Sequence, residues 1–198
     1  KIKIGAIDFN EELRLLAQLR NRYDAKTITI RVDANGAFAP EDALNKLDQL
    51  NAYEIDSIEQ PIAINQWEHM SILCKKSPIP IALDEELIGV FDPEIQSELL
   101  TQIEPQYLIF KPSLLGGFSN TQKWIDLAKK HNIAWWITSA LESNVGLNAI
   151  AQWTYSKKPF MPQGLGTGSL FLNNIDSPLV IKKGCLWNDN AIPWREIF

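Results

Sequence analysis

Five ionisable residues stand at the ends of short apolar runs in this chain. Asp33 closes Ile30-Arg31-Val32-Asp33, Glu59 closes Ile55-Asp56-Ser57-Ile58-Glu59, and Asp84 closes Ile79-Pro80-Ile81-Ala82-Leu83-Asp84. Lys111 follows Tyr107-Leu108-Ile109-Phe110, and Pro112 stops that run behind it. From Asp33 to Lys111 the interval is about 26 residues each time, the beat of a repeating strand–helix unit. Lys3, which ends a strand-like Lys1-Ile2-Lys3, lies about 30 residues before Asp33. A charge at the end of a buried strand is costly unless something uses it.

Three carboxylates brought together repel, and each raises the pKa of the others. A divalent cation resolves that repulsion. Single carboxylates, with positions left for water and substrate, suit Mg²⁺, with Mn²⁺ as a substitute. Asp33, Glu59 and Asp84 are therefore the candidate metal ligands. Lys3 and Lys111 flank the acids in sequence and would face one another across the metal if the strands closed into a barrel. An ordinary lysine is a poor base at neutral pH; a nearby cation and desolvation bring it toward the working range. Two lysines beside a metal suit removal of a proton next to a carboxylate, where stabilising the dianionic intermediate dominates.

The elements between these residues alternate. Asn10 is placed to cap a first helix whose apolar side is Leu13, Leu15, Leu16 and Leu19. Pro40 opens a helix through Leu50, Trp67 to Lys76 reads as another, and Asp92-Pro93 starts one running to about Gln102. Gly116-Gly117 turns the chain, Ser119 caps a helix to Lys130, and a further helix follows Ser143. Strands end at Lys3, Asp33, Glu59, Asp84, Lys111, Thr138 and Gln163, seven in all. Alternating strands and helices predict an α/β fold with a parallel sheet. A closed (β/α) barrel needs eight strands, and only a barrel brings so many charged strand ends to one mouth. The reading is an incomplete barrel over residues 1–174, with its first strand upstream of Lys1. Residues 175–198 form a tail in which Pro178 to Ile181 and Cys185 to Trp187 make two short strands.

Composition narrows the function. With 198 residues, 45% hydrophobic, the chain can bury a sizeable core. A net charge of −5 argues against nucleic acid, which wants a basic stripe, and no basic run suggests a membrane surface. No apolar stretch reaches the roughly 20 residues of a membrane span. Two distant cysteines, Cys74 and Cys185, read as reduced thiols of a cytoplasmic protein, and two histidines exclude a histidine-rich metal site.

Taken together, Lys1-Ile2-Lys3, Asp33-Ala34-Asn35, Glu59-Gln60-Pro61, Asp84-Glu85 and Lys111-Pro112 resemble the enolase superfamily, muconate-lactonizing subgroup. The loops Ser139-Ala140-Leu141-Glu142-Ser143-Asn144-Val145-Gly146-Leu147 and Gln163-Gly164-Leu165-Gly166-Thr167-Gly168 resemble its dehydratase branch. That branch makes o-succinylbenzoate from a hydroxycyclohexadiene carboxylate in menaquinone biosynthesis. The resemblance implies an enolase-type barrel and an N-terminal α+β capping domain, absent here, to which the tail from Ile175 would return. It implies Lys3 as acid and base, Lys111 as a stabilising charge, and Arg31 and Asn35 as supports behind the metal ligands. A small carboxylate is the implied substrate. Ser139, Ser143, Gly164 and Gly166 are its candidate contacts, the glycines through backbone N–H groups. Ser143 serves equally as a helix cap.

Two rivals stand beside the dehydratase. An amino-acid or dipeptide epimerase of the same superfamily would use both lysines as bases. Such enzymes usually hold the substrate amine with Asp-x-Asp near the last strand, where this chain has Gly164-Leu165-Gly166. The other rival is a barrel fragment that only binds or assembles, against which the complete five-residue set argues.

Overall fold

The computed structural model describes residues 1–166 and 170–195. The chain divides into two compact units. The first holds Lys1–Leu108 and Asp126–Ala134, the second Ile109–Ile125 and Trp135–Phe198.

In the first unit, strands β1 (Ile2–Lys3), β2 (Ile30–Asp33), β3 (Ile55–Glu59), β4 (Ile81–Leu83) and the start of β5 (Tyr107–Phe110) lie side by side in sequence order, each pair parallel. Helices α1 (Phe9–Arg22), α2 (Pro40–Asn51), α3 (Trp67–Lys76) and α4 (Pro93–Ile103) return the chain between them. Parallel neighbours need such crossovers, and helices on the faces make the strands apolar along their length. Ile30, Val32, Ile58, Ile81, Leu83 and Leu108 are all buried, as are Leu47 and Leu50 on α2, Met70 on α3 and Leu99 and Ile103 on α4. Each such side chain contributes roughly 1.5–3 kcal/mol.

Pro40 and Pro93 occupy first-turn positions, and Asp92 accepts from Glu94 N, as the sequence predicts. The cap of α1 differs from expectation. Asp8, not Asn10, accepts from the N–H groups of Asn10 and Glu11, because the helix begins at Phe9 and leaves Asn10 inside it.

In the second unit, α5 (Gly117–Lys130) begins at the second glycine, so Ser119 lies within the helix and does not cap it. Strand β6 (Ala134–Ile137) is followed by Thr138, whose N–H donates to the Phe110 carbonyl, and then by α6 (Asn144–Ser156). The strand expected to end at Gln163 is reduced to a single parallel bridge between Thr138 and Gly164. Gln163 explains this. Its side-chain Oε1 takes the Ile137 N–H at 2.7 Å, a bond that a backbone carbonyl would make in a ladder, and Pro162 has no N–H to give. The tail forms an antiparallel hairpin, β7 (Leu179–Lys182) and β8 (Cys185–Asn188), as expected. Lys183 and Gly184 both have positive φ, the form that matches strand twist in a two-residue turn. Among the described residues no helix is long and apolar enough to cross a membrane.

Candidate active site

Strand register assembles the carboxylates of the first unit. Lys3 stands opposite Asp33, Asp33 opposite Glu59, and Glu59 opposite Ala82, with Asp84 two residues further on. Residues in parallel register point to the same face, so equal spacing in the sequence becomes adjacency in space. Asp33, Glu59 and Asp84 are almost wholly buried.

Lysines are drawn to them. Lys3 Nζ donates to Asp33 Oδ2 at 2.6 Å and to Asn35 Oδ1 at 2.6 Å. Lys1 Nζ spans Asp33 Oδ2 at 2.9 Å and Glu59 Oε2 at 2.8 Å. Asn35, in a left-handed turn, returns its N–H to Asp33 Oδ1 and gives its side-chain amide to Glu85 Oε1. Arg31 Nε pairs with Asp56 on β3 at 2.8 Å, so its guanidinium ties the two strands below the carboxylates.

The electrostatics are unequal. Burial tends to raise the Asp33 pKa, but the bonds from Lys3 and Lys1 outweigh it and hold Asp33 below its ordinary value. Glu59 is pushed up to about 8 by burial, then by the neighbouring carboxyls of Asp84 and Asp33, with Lys1 only partly offsetting. Burial would lower Lys1, yet Glu59 and Asp33 together raise it.

Glu59 Oε1 is buried without a hydrogen-bond partner. Such an atom is expensive unless a cation or donor meets it. Among the described residues no three His, Cys, Asp or Glu side chains converge as a ready metal cage, since Asp33 and Glu59 close on the Lys1 ammonium. The donor set nevertheless fits a hard divalent cation. It offers carboxylate oxygens alone, crowds Glu59 against the carboxyls of Asp84 and Asp33, and includes one buried oxygen with no partner.

Two residues that sequence reasoning passed over organise these strand ends. Gln60, buried and with positive φ, accepts from Asp84 N and Glu86 N, and donates to the Ile62 carbonyl and to Glu86 Oε2. Glu86 in turn accepts from Asn65 N and Trp67 Nε1. The pair fixes Asp84 relative to Glu59. The only signal in the sequence was a glutamine before Pro61 and the acidic run from Asp84 to Glu86. Lys1 was visible only as the first residue of Lys1-Ile2-Lys3.

The second unit holds the other candidates. Lys111 directly follows β5 and is half-buried, and its carbonyl accepts from Leu114 N and Leu115 N. Ser139 is buried and its hydroxyl donates to Glu142 Oε2 at 2.6 Å while accepting from Leu141 N. Its proton is therefore already committed. Ser143 is the cap position of α6, though its side chain makes no capping bond. The expectation of a free Gly164 N–H is corrected: that group donates to the Ile137 carbonyl at 2.8 Å. Gly164 is needed for another reason, because a Cβ there would stand 2.6 Å from Thr138 Oγ1. Gly166 is exposed. Thr167 and Gly168 of the same loop lie outside the described residues.

Residues 1–191 match the family described as enolase C-terminal domain-like. An o-succinylbenzoate synthase of Desulfotalea psychrophila is 55% identical over 186 residues, 94% of this chain and 50% of that protein. An L-Ala-D/L-Glu epimerase of Francisella tularensis subsp. novicida is 30% identical over 79% of this chain and 43% of its own length. A solved structure described as MenC from Desulfotalea psychrophila LSv54 superposes with a TM-score of 0.89 at 53% identity, covering 93% of this chain and 51% of that one. The chain thus spans about half the length of the relatives it matches. Its alternating parallel strands and helices are those of an enolase-type barrel that is incomplete over these residues.

Proposed function

Because the chain belongs to the enolase C-terminal domain-like family, we propose that it is the catalytic barrel of a metal-dependent carbon–oxygen lyase. The reaction is the syn-dehydration of 2-succinyl-6-hydroxy-2,4-cyclohexadiene-1-carboxylate to o-succinylbenzoate, in menaquinone biosynthesis in the cytoplasm. An N-terminal capping domain completes the enzyme, and residues 175–198 return to it. The observation that carries this reading is Lys3, in register with Asp33 and bonded to it beside the buried Glu59. The 55% identity to an o-succinylbenzoate synthase supports it.

Asp33, Glu59 and Asp84 would hold Mg²⁺, or Mn²⁺ in its place. Bound there, the ion would supply positive charge against the negative charge that develops on the substrate carboxylate. Lys3 as the neutral amine takes the proton α to that carboxylate, and the C–H electron pair moves into the carboxylate. The resulting ammonium then returns the proton to the departing hydroxyl. Proton and hydroxide leave as one water, and the ring becomes aromatic. Lys111 keeps its charge and faces the enolate. Asn35 holds Lys3 in place. Backbone N–H groups near Gly166 and the hydroxyl of Ser143 contact the substrate's carboxylates, while Gly164 and Ser139 shape the loop that presents them.

The 30% identity to an epimerase favours one second reading, exchange of a proton on both faces of an amino-acid carbon by the two lysines. Assaying the protein together with its capping domain against the cyclohexadiene carboxylate and against L-Ala-L-Glu, each with and without Mg²⁺, separates them. Metal-dependent loss of water from the first substrate is expected. Epimerisation of the dipeptide without dehydration would overturn the proposal.

A further inference from the structure

In the second unit a single carboxylate joins two loops. Ser113 Oγ donates to Glu142 Oε1, while Glu142 Oε2 accepts from Ser139 Oγ at 2.6 Å and from Ala140 N at 2.9 Å. Ser113 belongs to the turn that begins at Lys111. In that turn Leu114 N and Leu115 N donate to the Lys111 carbonyl at 2.8 and 3.0 Å, and Gly117 N donates to the Pro112 carbonyl at 2.8 Å. Ser139 belongs to the loop after β6, whose Leu141 is held at φ 68°, a conformation that leucine adopts only under constraint.

The position of Glu142 is itself enforced. A Cβ on Gly146 would meet Glu142 Cβ at 2.9 Å and Cγ at 3.1 Å, so glycine one turn into α6 leaves the room that the side chain fills. Burial works against ionisation of Glu142, but the bonds from Ser113 and Ser139 outweigh it and keep the carboxylate charged. Nothing in the reaction above uses this carboxylate. No histidine adjoins it in sequence and its oxygens are occupied by hydroxyls and an amide, so it has no role as a base.

We propose that Glu142 is a positioning residue. By holding Ser113 on one oxygen and Ser139 on the other, it fixes the turn that carries Lys111 and thereby the stance of that ammonium in the reaction. The proposal rests on the lysine roles given above. It also reassigns Ser139, whose hydroxyl serves the clasp and not the substrate.

Glu142→Gln is the test, because the amide keeps one acceptor and places a donor against Ser139 Oγ and Ala140 N. Amide hydrogen exchange on the whole protein reads the clasp without reference to any substrate. Leu114, Leu115 and Gly117 should exchange about tenfold faster in the variant, while Ala34 and Gln60, whose N–H groups bond to Glu59 and Ala82 just past β2 and β3, stay unchanged. Unchanged protection of the turn would overturn the proposal.

Steady-state kinetics read the consequence. kcat should fall about 100-fold with KM nearly constant, as expected for a misplaced catalytic group. Ser113→Ala should lower kcat in the same direction, and the double variant should be no slower than Glu142→Gln alone. Losses that simply add, or that follow a fall in melting temperature, would refute a positioning role. A wild-type protein unable to dehydrate the substrate would refute the reading of the reaction, while the exchange data would still decide the clasp.

Discussion

Replacing Glu59 by glutamine should stabilise this protein when no metal is present. The Glu59 carboxyl is buried beside Asp84 and Asp33, and its pKa in the folded chain stands at about 8 against an ordinary 4.5. A raised folded pKa means that the protonated form favours folding. That stability is fully present below about pH 4.5 and is lost as pH rises toward 8. At pH 7 ionisation of Glu59 in the unfolded chain leaves the folded state about 3 kcal/mol less favoured than a permanently neutral side chain would. Glutamine mimics the protonated acid and keeps an oxygen for Lys1, so Glu59→Gln should gain about that much at pH 7. At pH 4.5 it should gain less than about 1 kcal/mol.

Urea unfolding with EDTA at the two pH values measures this. Adding Mg²⁺ then reverses the order. Wild type should gain about 2.7 kcal/mol when the ion is at 100 times its dissociation constant, and the variant should gain almost none. A variant destabilised equally at both pH values in EDTA would refute the reasoning. It would mean that Glu59 is ionised and well paired in the metal-free fold.

Other outcomes follow from the same geometry. Mg²⁺ must displace the proton from Glu59, so metal affinity measured by calorimetry should climb steadily from pH 6 to pH 8 and level off above; a flat profile would count against Glu59 as a ligand. Burial raises the Cys74 thiol to about 12, whereas Cys185 is exposed, so iodoacetamide at pH 8 should modify Cys185 alone until the protein unfolds, as peptide mass mapping will show. Gly164→Ala should cost roughly 1–3 kcal/mol in thermal unfolding, because its methyl would press on Thr138; a neutral result would mean that the 138–164 bridge gives way easily.

Much of this site was legible because β-register is simple. Once strands run parallel in sequence order, acids at their ends fall close together: Asp33 stands opposite Glu59, and Asp84 follows two residues after Ala82, the partner of Glu59. What escaped notice depends on side-chain reach. Lys1 is long enough to span two acids on neighbouring strands, and Gln60 satisfies backbone N–H groups some 25 residues away in sequence, which no local pattern reveals. The strand at Gln163 was lost to a side chain that substitutes for a backbone carbonyl. Ser139 and Gly164 are the right types to meet a substrate, but their polar groups already bond within the fold. Lys111 was placed by its buried strand and proline, features that local sequence does carry.

The division of labour between the lysines is the centre of the account. It is tested by exchange of the substrate's α-proton with deuterated solvent, followed by NMR in the protein with its capping domain. Lys3→Ala should abolish exchange, whereas Lys111→Arg, which keeps the charge and loses a titratable base, should retain it at a reduced rate. Exchange that persists in Lys3→Ala and vanishes in Lys111→Arg would contradict the assignment of Lys3 as the base.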